Sequence, residues 1–176
     1  MTITYYVVEW LMRGWLMSVI VANNFKIGCE LGTYMGETTF FLLDNAPDLT
    51  LHTVDIFEQQ YDHENYSNNK YNFTEKYPDF IEKSKKYGDR LTVHRGWTHE
   101  VAQTIEDSTF DFVFIDADHS YEGCKRDIIS WKSKIKPKGL LMGHDANLPS
   151  VEKAVKECCK DWYVNVGTYC WVGSCV

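Results

Sequence analysis

Phe25 to Thr39 reads FKIGCELGTYMGETT, and the reading of these residues decides the fold. Lys26 to Leu31 is a short apolar strand, followed by a turn carrying Gly32 and Gly36 and an apolar helix that begins near Glu37. Strand, glycine-rich turn and helix in that order build the nucleotide pocket of an open α/β sheet. Glycine lets the backbone pass close to a ligand, and the helix start presents N–H groups that no helix carbonyl accepts. Gly28, Gly32 and Gly36 are spaced by fours, so Glu30-x-Gly32-x-x-x-Gly36-x-Thr38 is not the dinucleotide fingerprint G-x-G-x-x-G. A tight connection with no ligand is the competing reading of the same glycines.

Downstream, strand and helix alternate. Leu51 to Ile56 is a second strand ending near Asp55, where a carboxylate can accept hydrogen bonds from both hydroxyls of a ribose. Residues 58–75 are polar, without a clear period, and are expected to form a lid or substrate loop. A helix is expected from Tyr77 to Tyr87 and a third strand from Leu91 to Arg95. Next comes a helix capped by Thr98. Phe110 to Ile115 is a central buried strand delivering Asp116, Asp118 and His119, and a helix follows from Tyr121 to Ile135. Leu140 to Met142 is the next strand and delivers His144 and Asp145. A helix from Pro149 to Trp162 and a hairpin of 163–169 with 170–176 complete the chain. The fold class is α/β: a doubly wound, Rossmann-like, mostly parallel sheet with helices on both faces and an antiparallel C-terminal hairpin strand. Ligands of such sheets bind beyond the carboxyl ends of the strands, where Glu30, Asp55, Asp116, Asp118, His119, His144 and Asp145 all fall.

Upstream, residues 1–24 form an apolar N-terminal helix interrupted by Glu9 and Arg13, which sit four apart and can pair. That interruption argues against a membrane span, and Met1 to Thr4 lack the basic residue of a signal peptide. The helix is expected on a sheet edge or against a second subunit, which makes a homodimer through it an open expectation. Trp10 and Trp15 are candidates to roof the pocket. The 176 residues suit one domain, 1–176, and a net charge of −7 disfavours a nucleic-acid partner. The expected partner is a small molecule. The six cysteines include no C-x-x-C pair and read as mostly buried, reduced thiols of a cytoplasmic protein, with Cys170 and Cys175 left open.

The glycine pattern resembles the first motif of class I S-adenosylmethionine-dependent methyltransferases. DFVFIDADHSYEGCKRDIISW followed by KPKGLLMGHD resembles the second half of their macrocin and macrolide O-methyltransferase-like family, methyltransferase family 24. Catechol-type O-methyltransferases are more distantly similar. The resemblance spans roughly residues 25–150 and implies an enzyme that methylates a small-molecule hydroxyl, of sugar or natural-product type. It implies S-adenosylmethionine bound by Glu30, Gly32, Gly36, Thr38, Asp55, Trp97 and Asp116, with Trp97 near the adenine. It also implies a divalent metal, Mg2+ in the first instance, on Asp116 and Asp145. His119 would be the catalytic base, with Asp116 its partner in catalysis. Ala146 departs from relatives that carry a second adjacent ligand. Two alternatives stay open: a non-catalytic domain that keeps only the cofactor pocket, and an NAD-linked oxidoreductase or epimerase. The glycine spacing and the lack of a Tyr-x-x-x-Lys pair count against the second.

Overall fold

The computed structural model describes residues 3–58 and 73–174. Five parallel strands form its centre: β1 (Ile27–Leu31), β2 (Thr50–Asp55), β3 (Leu91–Arg95), β4 (Phe110–Ile115) and β5 (Ile135–Gly143). β6 (Asp161–Asn165) and β7 (Cys170–Ser174) close one edge. The order is β3-β2-β1-β4-β5-β7-β6, with β7 antiparallel to both of its neighbours. The strand order reverses between β1 and β4, so loops leaving these two strands diverge and open a crevice at their carboxyl ends.

Helices cover both faces, which is why β4 reads as an almost unbroken apolar run. On one face Val113, Ile115 and Leu141 pack with Ile128 and Trp131 of α5 (Tyr121–Trp131) and Val151 and Val155 of α6 (Pro149–Cys158). On the other, Phe112, Phe114, Met142 and Val172 pack with Leu42 and Leu43 of α2 (Glu37–Asn45) and with α1 (Ile3–Ala22).

The placement of α1 corrects the edge expectation. Met12, Leu16 and Ile20 recur every fourth residue, are 0–2% exposed, and meet the middle of the sheet face. Trp15 packs against the same core, whereas Trp10 is 66% exposed. Val7, Trp10, Leu11 and Val21 form the outer surface of α1, the surface that the dimer expectation concerns.

Several boundaries differ from the sequence expectation. α3 (Phe73–Ser84) begins earlier than Tyr77, and residues 59–72 of the expected lid lie outside the described residues. α5 stops at Trp131 and Ile135 opens β5; α6 stops at Cys158 and Trp162 lies in β6. In both cases an apolar residue that continues the helical period is taken by strand pairing instead. Thr98 starts α4 (Thr98–Val101) without capping it, because its hydroxyl bonds Asp127 in the core. Cys29, Cys124 and Cys170 are buried free thiols, and Cys175 lies outside the described residues. No helix among the described residues is long and apolar enough to cross a membrane.

If α1 is an integral layer, Met12→Ala should lower unfolding free energy in urea by about 2–5 kcal/mol, the usual cost of emptying a buried site. Trp10→Ala should stay within about 0.5 kcal/mol. Equal small effects at both positions would show a loosely attached helix.

Candidate active site

The site starts where β1 and β4 separate. The Asp116 N–H donates to Leu31 O at 2.8 Å, and the Gly32 N–H donates to Val54 O at 2.9 Å. Gly32 has φ 90°, and a Cβ there would stand 1.9 Å from the Asp116 carbonyl oxygen. No other residue fits. Gly36 has φ 79° at the start of α2, with a would-be Cβ 2.6 Å from the Phe80 ring. Both glycines of the motif are therefore required by the backbone path itself.

The acids divide into distinct roles. Glu30 is 2% exposed, and its Oε2 accepts from the Thr39 and Thr53 hydroxyls, tying β1 to α2 and β2. Burial pushes its carboxyl up to about 8, against the hydroxyl bonds that lower it. Asp55 is oriented by backbone: Oδ1 accepts from Phe57 N–H at 2.7 Å and Oδ2 from Tyr34 N–H at 2.9 Å. Burial raises this carboxyl as well. Thr38 accepts from Arg13 Nε at 3.3 Å, and the same guanidinium reaches Glu37 at 2.9 Å and Glu9 at 3.5 Å. Trp97 is 44% exposed and lines a surface cleft of about 260 Å³ with Ile56, Glu58, Arg95 and Gly96, at the ends of β2 and β3.

On the other side of the Gly32 turn, the ends of β4 and β5 bring four side chains together. His119 Nε2 lies 3.0 Å from Asp145 Oδ2 and 3.4 Å from Asp116 Oδ1. His144 Nδ1 lies 3.4 Å and 3.7 Å from the same two oxygens. Asp116, His144 and Asp145 each offer one donor atom, and these three atoms lie within 4.8 Å of one another. This is a donor set that fits a divalent cation, since imidazole nitrogen and carboxylate oxygen are both ordinary ligands at that spacing. Consecutive strand residues normally point to opposite faces, so His144 and Asp145 should diverge. Asp145 instead has φ 58°, and the chain turns there, with Ala146 N–H on Tyr169 O at 3.0 Å.

As these four side chains stand, the two carboxylates hold protons on both imidazoles. Burial works against charge on each ring, but hydrogen bonds to Asp116 and Asp145 outweigh it, raising His119 to about 10 and His144 to about 12. The same contacts hold Asp116 and Asp145 below the usual carboxylate range despite their burial. Glu9 from α1 is pushed up first by burial and then by the charge of Asp116.

Asp116, His119 and Asp145 thus meet as the sequence suggests. Trp97 and Asp55 stand across the switch point from them, and Asp118 turns away to accept the Ser120 N–H at 2.9 Å. The sequence alone gives His144 no role beyond its place at the strand ends, although it stands beside Asp145, and gives Glu9 only Arg13 as a partner, although a carboxylate in so apolar a helix is itself a signal.

The parallel sheet with an antiparallel β7 and a site at its switch point is the architecture of the S-adenosylmethionine-dependent methyltransferases. A family model described as a methyltransferase domain matches residues 29–146, and the chain belongs to that family. Three solved structures show the same fold. The S-adenosylhomocysteine-bound methyltransferase PaMTH1 of Podospora anserina is 16% identical with TM-score 0.68, covering 92% of this chain and 76% of that one. A protein proposed as a caffeoyl-CoA O-methyltransferase from Staphylococcus aureus is 15% identical with TM-score 0.66, covering 92% and 81%. CalS11, a TDP-rhamnose 3'-O-methyltransferase of calicheamicin biosynthesis, is 10% identical with TM-score 0.65, covering 96% and 80%. No curated protein sequence matches the chain.

Glu30 makes a pH-dependent contribution that can be isolated. Its ordinary value is 4.5 and its folded value is about 8, so the folded state binds the extra proton between these limits. Stability from this group is full below 4.5 and is lost as pH rises toward 8. Glu30→Gln should therefore gain Tm relative to the parent as pH rises from 5 to about 9, in thermal melts followed by circular dichroism. A difference in Tm that stays constant with pH would contradict the buried-acid reading.

Proposed function

We propose that the protein transfers the methyl group of S-adenosylmethionine to a hydroxyl of a small molecule, of sugar or natural-product type, with a divalent cation assisting. The observation that carries this reading is the convergence of Asp116, His119, His144 and Asp145 at the switch point, across from the Trp97 cleft. In the cleft lined by Ile56, Glu58, Arg95, Gly96 and Trp97 the indole offers a face for a purine, and Asp55, next to Ile56 and oriented by two backbone amides, is suited to a ribose. The neighbouring structures include enzymes whose names specify O-methylation, which supports a hydroxyl acceptor.

Bound S-adenosylmethionine would supply a methyl already activated as a sulfonium, and a cation at Asp116, His144 and Asp145 would supply positive charge that lowers the pKa of a nearby hydroxyl. What the protein's residues must do is align the two reactants and move one proton. Asp116, His144 and Asp145 would hold the cation. His119 lies within 3.0–3.4 Å of both carboxylates; with a cation on those carboxylates in place of the imidazolium charge, its ring would be free to take the acceptor proton as general base. Gly32 and Gly36 let the backbone approach the cofactor, and the Thr38–Arg13 contact anchors α1 beside the start of α2. The reading includes a cytoplasmic location, in keeping with the free thiols Cys29, Cys124 and Cys170.

Calorimetric titration with S-adenosylhomocysteine tests the cofactor half of this reading. Binding is expected, with affinity falling about tenfold or more in Asp55→Ala, the equivalent of one lost charge-assisted contact. For the chemical half, an acceptor screen over sugars, catechols and macrolides should find a hydroxyl substrate. His119→Ala should then lower kcat by about 10² to 10⁴ with S-adenosylhomocysteine affinity retained. No binding of the cofactor product, or a His119→Ala enzyme as fast as the parent, would overturn the corresponding half.

A further inference from the structure

We propose that the Asp116–His144–Asp145 centre is built for a borderline transition ion of the Mn2+, Fe2+, Co2+ or Zn2+ kind in preference to Mg2+, with His144 as the selecting ligand. This rests on the cation-assisted reading above and goes further by naming which ion the residues select. The argument begins with spacing. Two donors each about 2.1 Å from one ion, at octahedral or tetrahedral angles, stand roughly 3.0–3.4 Å apart. His144 Nδ1 is 3.4 Å from Asp145 Oδ2 and 3.7 Å from Asp116 Oδ1, so the ring nitrogen already sits at ligand-to-ligand distance, within a few tenths of an ångström. His119 reaches both oxygens too, but it does not belong to the group of three whose donor atoms are mutually close.

The main chain of His144 is fixed independently of any ion: its backbone N–H donates to Ile115 O at 3.1 Å, and its carbonyl accepts from the Trp171 indole N–H at 3.1 Å. The residue is 6% exposed and its ring Nε2 is buried without a hydrogen-bond partner among the described residues, so the polar contacts of the ring run through Nδ1 to the two carboxylates. Chemistry then decides the occupant. Mg2+ and Ca2+ prefer oxygen donors and keep waters, whereas an imidazole adds affinity for Mn2+ through Zn2+ along the usual order of divalent ions. A carboxylate or amide at position 144 would leave a hard, all-oxygen site. Histidine at 144 tilts the set the other way.

The test compares wild type with His144→Asp, which restores an all-oxygen set, by titrating metal-free protein with CoCl2 and with MgCl2 in a calorimeter. The ratio of Co2+ to Mg2+ affinity is expected to fall by about tenfold or more in the variant, the usual effect of changing a nitrogen ligand. An unchanged ratio would show that His144 is only a counter-ion to the two carboxylates and would overturn the inference. Thermal melts check that the variant folds. Should it fail to fold, wild type alone answers the question: with 15N-histidine labelling, ZnCl2 should shift the His144 ring-nitrogen resonance. A Zn2+ titration that leaves that resonance in place would overturn it equally. S-adenosylhomocysteine is titrated in parallel. Cofactor binding with no ion preference would sink this inference alone, and loss of cofactor binding in wild type would sink the reading it rests on.

Discussion

Everything in this molecule depends on one close approach, the Gly32 backbone against the carbonyl of Asp116. The missing side chain lets β1 and β4 leave the sheet side by side and then part, because a Cβ would need the space 1.9 Å from that oxygen. Two hydrogen bonds, Asp116 N–H to Leu31 O and Gly32 N–H to Val54 O, hold three parallel strands in register at the same level. The side chains beyond them, Asp55 on one side and Asp116 on the other, are consequently positioned by the sheet and not by flexible loops. A site on such a frame can be preorganised without large loop movements.

The electrostatics follow from that frame. Two acids, Asp116 and Asp145, converge in a partly buried place, a costly arrangement unless positive charge meets them. His119 and His144 both meet the pair, so the cluster balances as it stands. Arg13 bonds Thr38 and Glu37, which ties the N-terminal helix to the start of α2 as well as to the core, and the charge of Asp116 helps raise Glu9 on the same helix. The buried Glu30, bonded to Thr39 and Thr53, secures the base of the same turn.

Much of this was legible in the sequence, because its signals are local. The β1–Gly32–Gly36–α2 order, the apolar run of β4 and the strand-end acids each occupy a few consecutive residues, and the parallel topology follows from their alternation. What was not legible depended on distant partners. The helical period ran on through Ile135 and Trp162 by coincidence, and strand pairing claimed both. Almost every position of α1 is apolar, so its pattern could not say which face lies on the sheet. The convergence of His144 with Asp145 needs a left-handed backbone at an aspartate, which no residue type announces. The threonine hydroxyls that receive Glu30 come from a helix and a neighbouring strand, where no local motif predicts them.

The central claim is that the Trp97 cleft, Asp55 and the Asp116 cluster form one site running across the switch point. A crystal structure of the protein with S-adenosylhomocysteine tests it most directly. The account predicts adenine against Trp97 and Ile56, the ribose hydroxyls on Asp55, and the sulfur turned toward Asp116 and His119. Electron density for the ligand at any other surface, or with its adenine at the Asp116–Asp145 end, would contradict it.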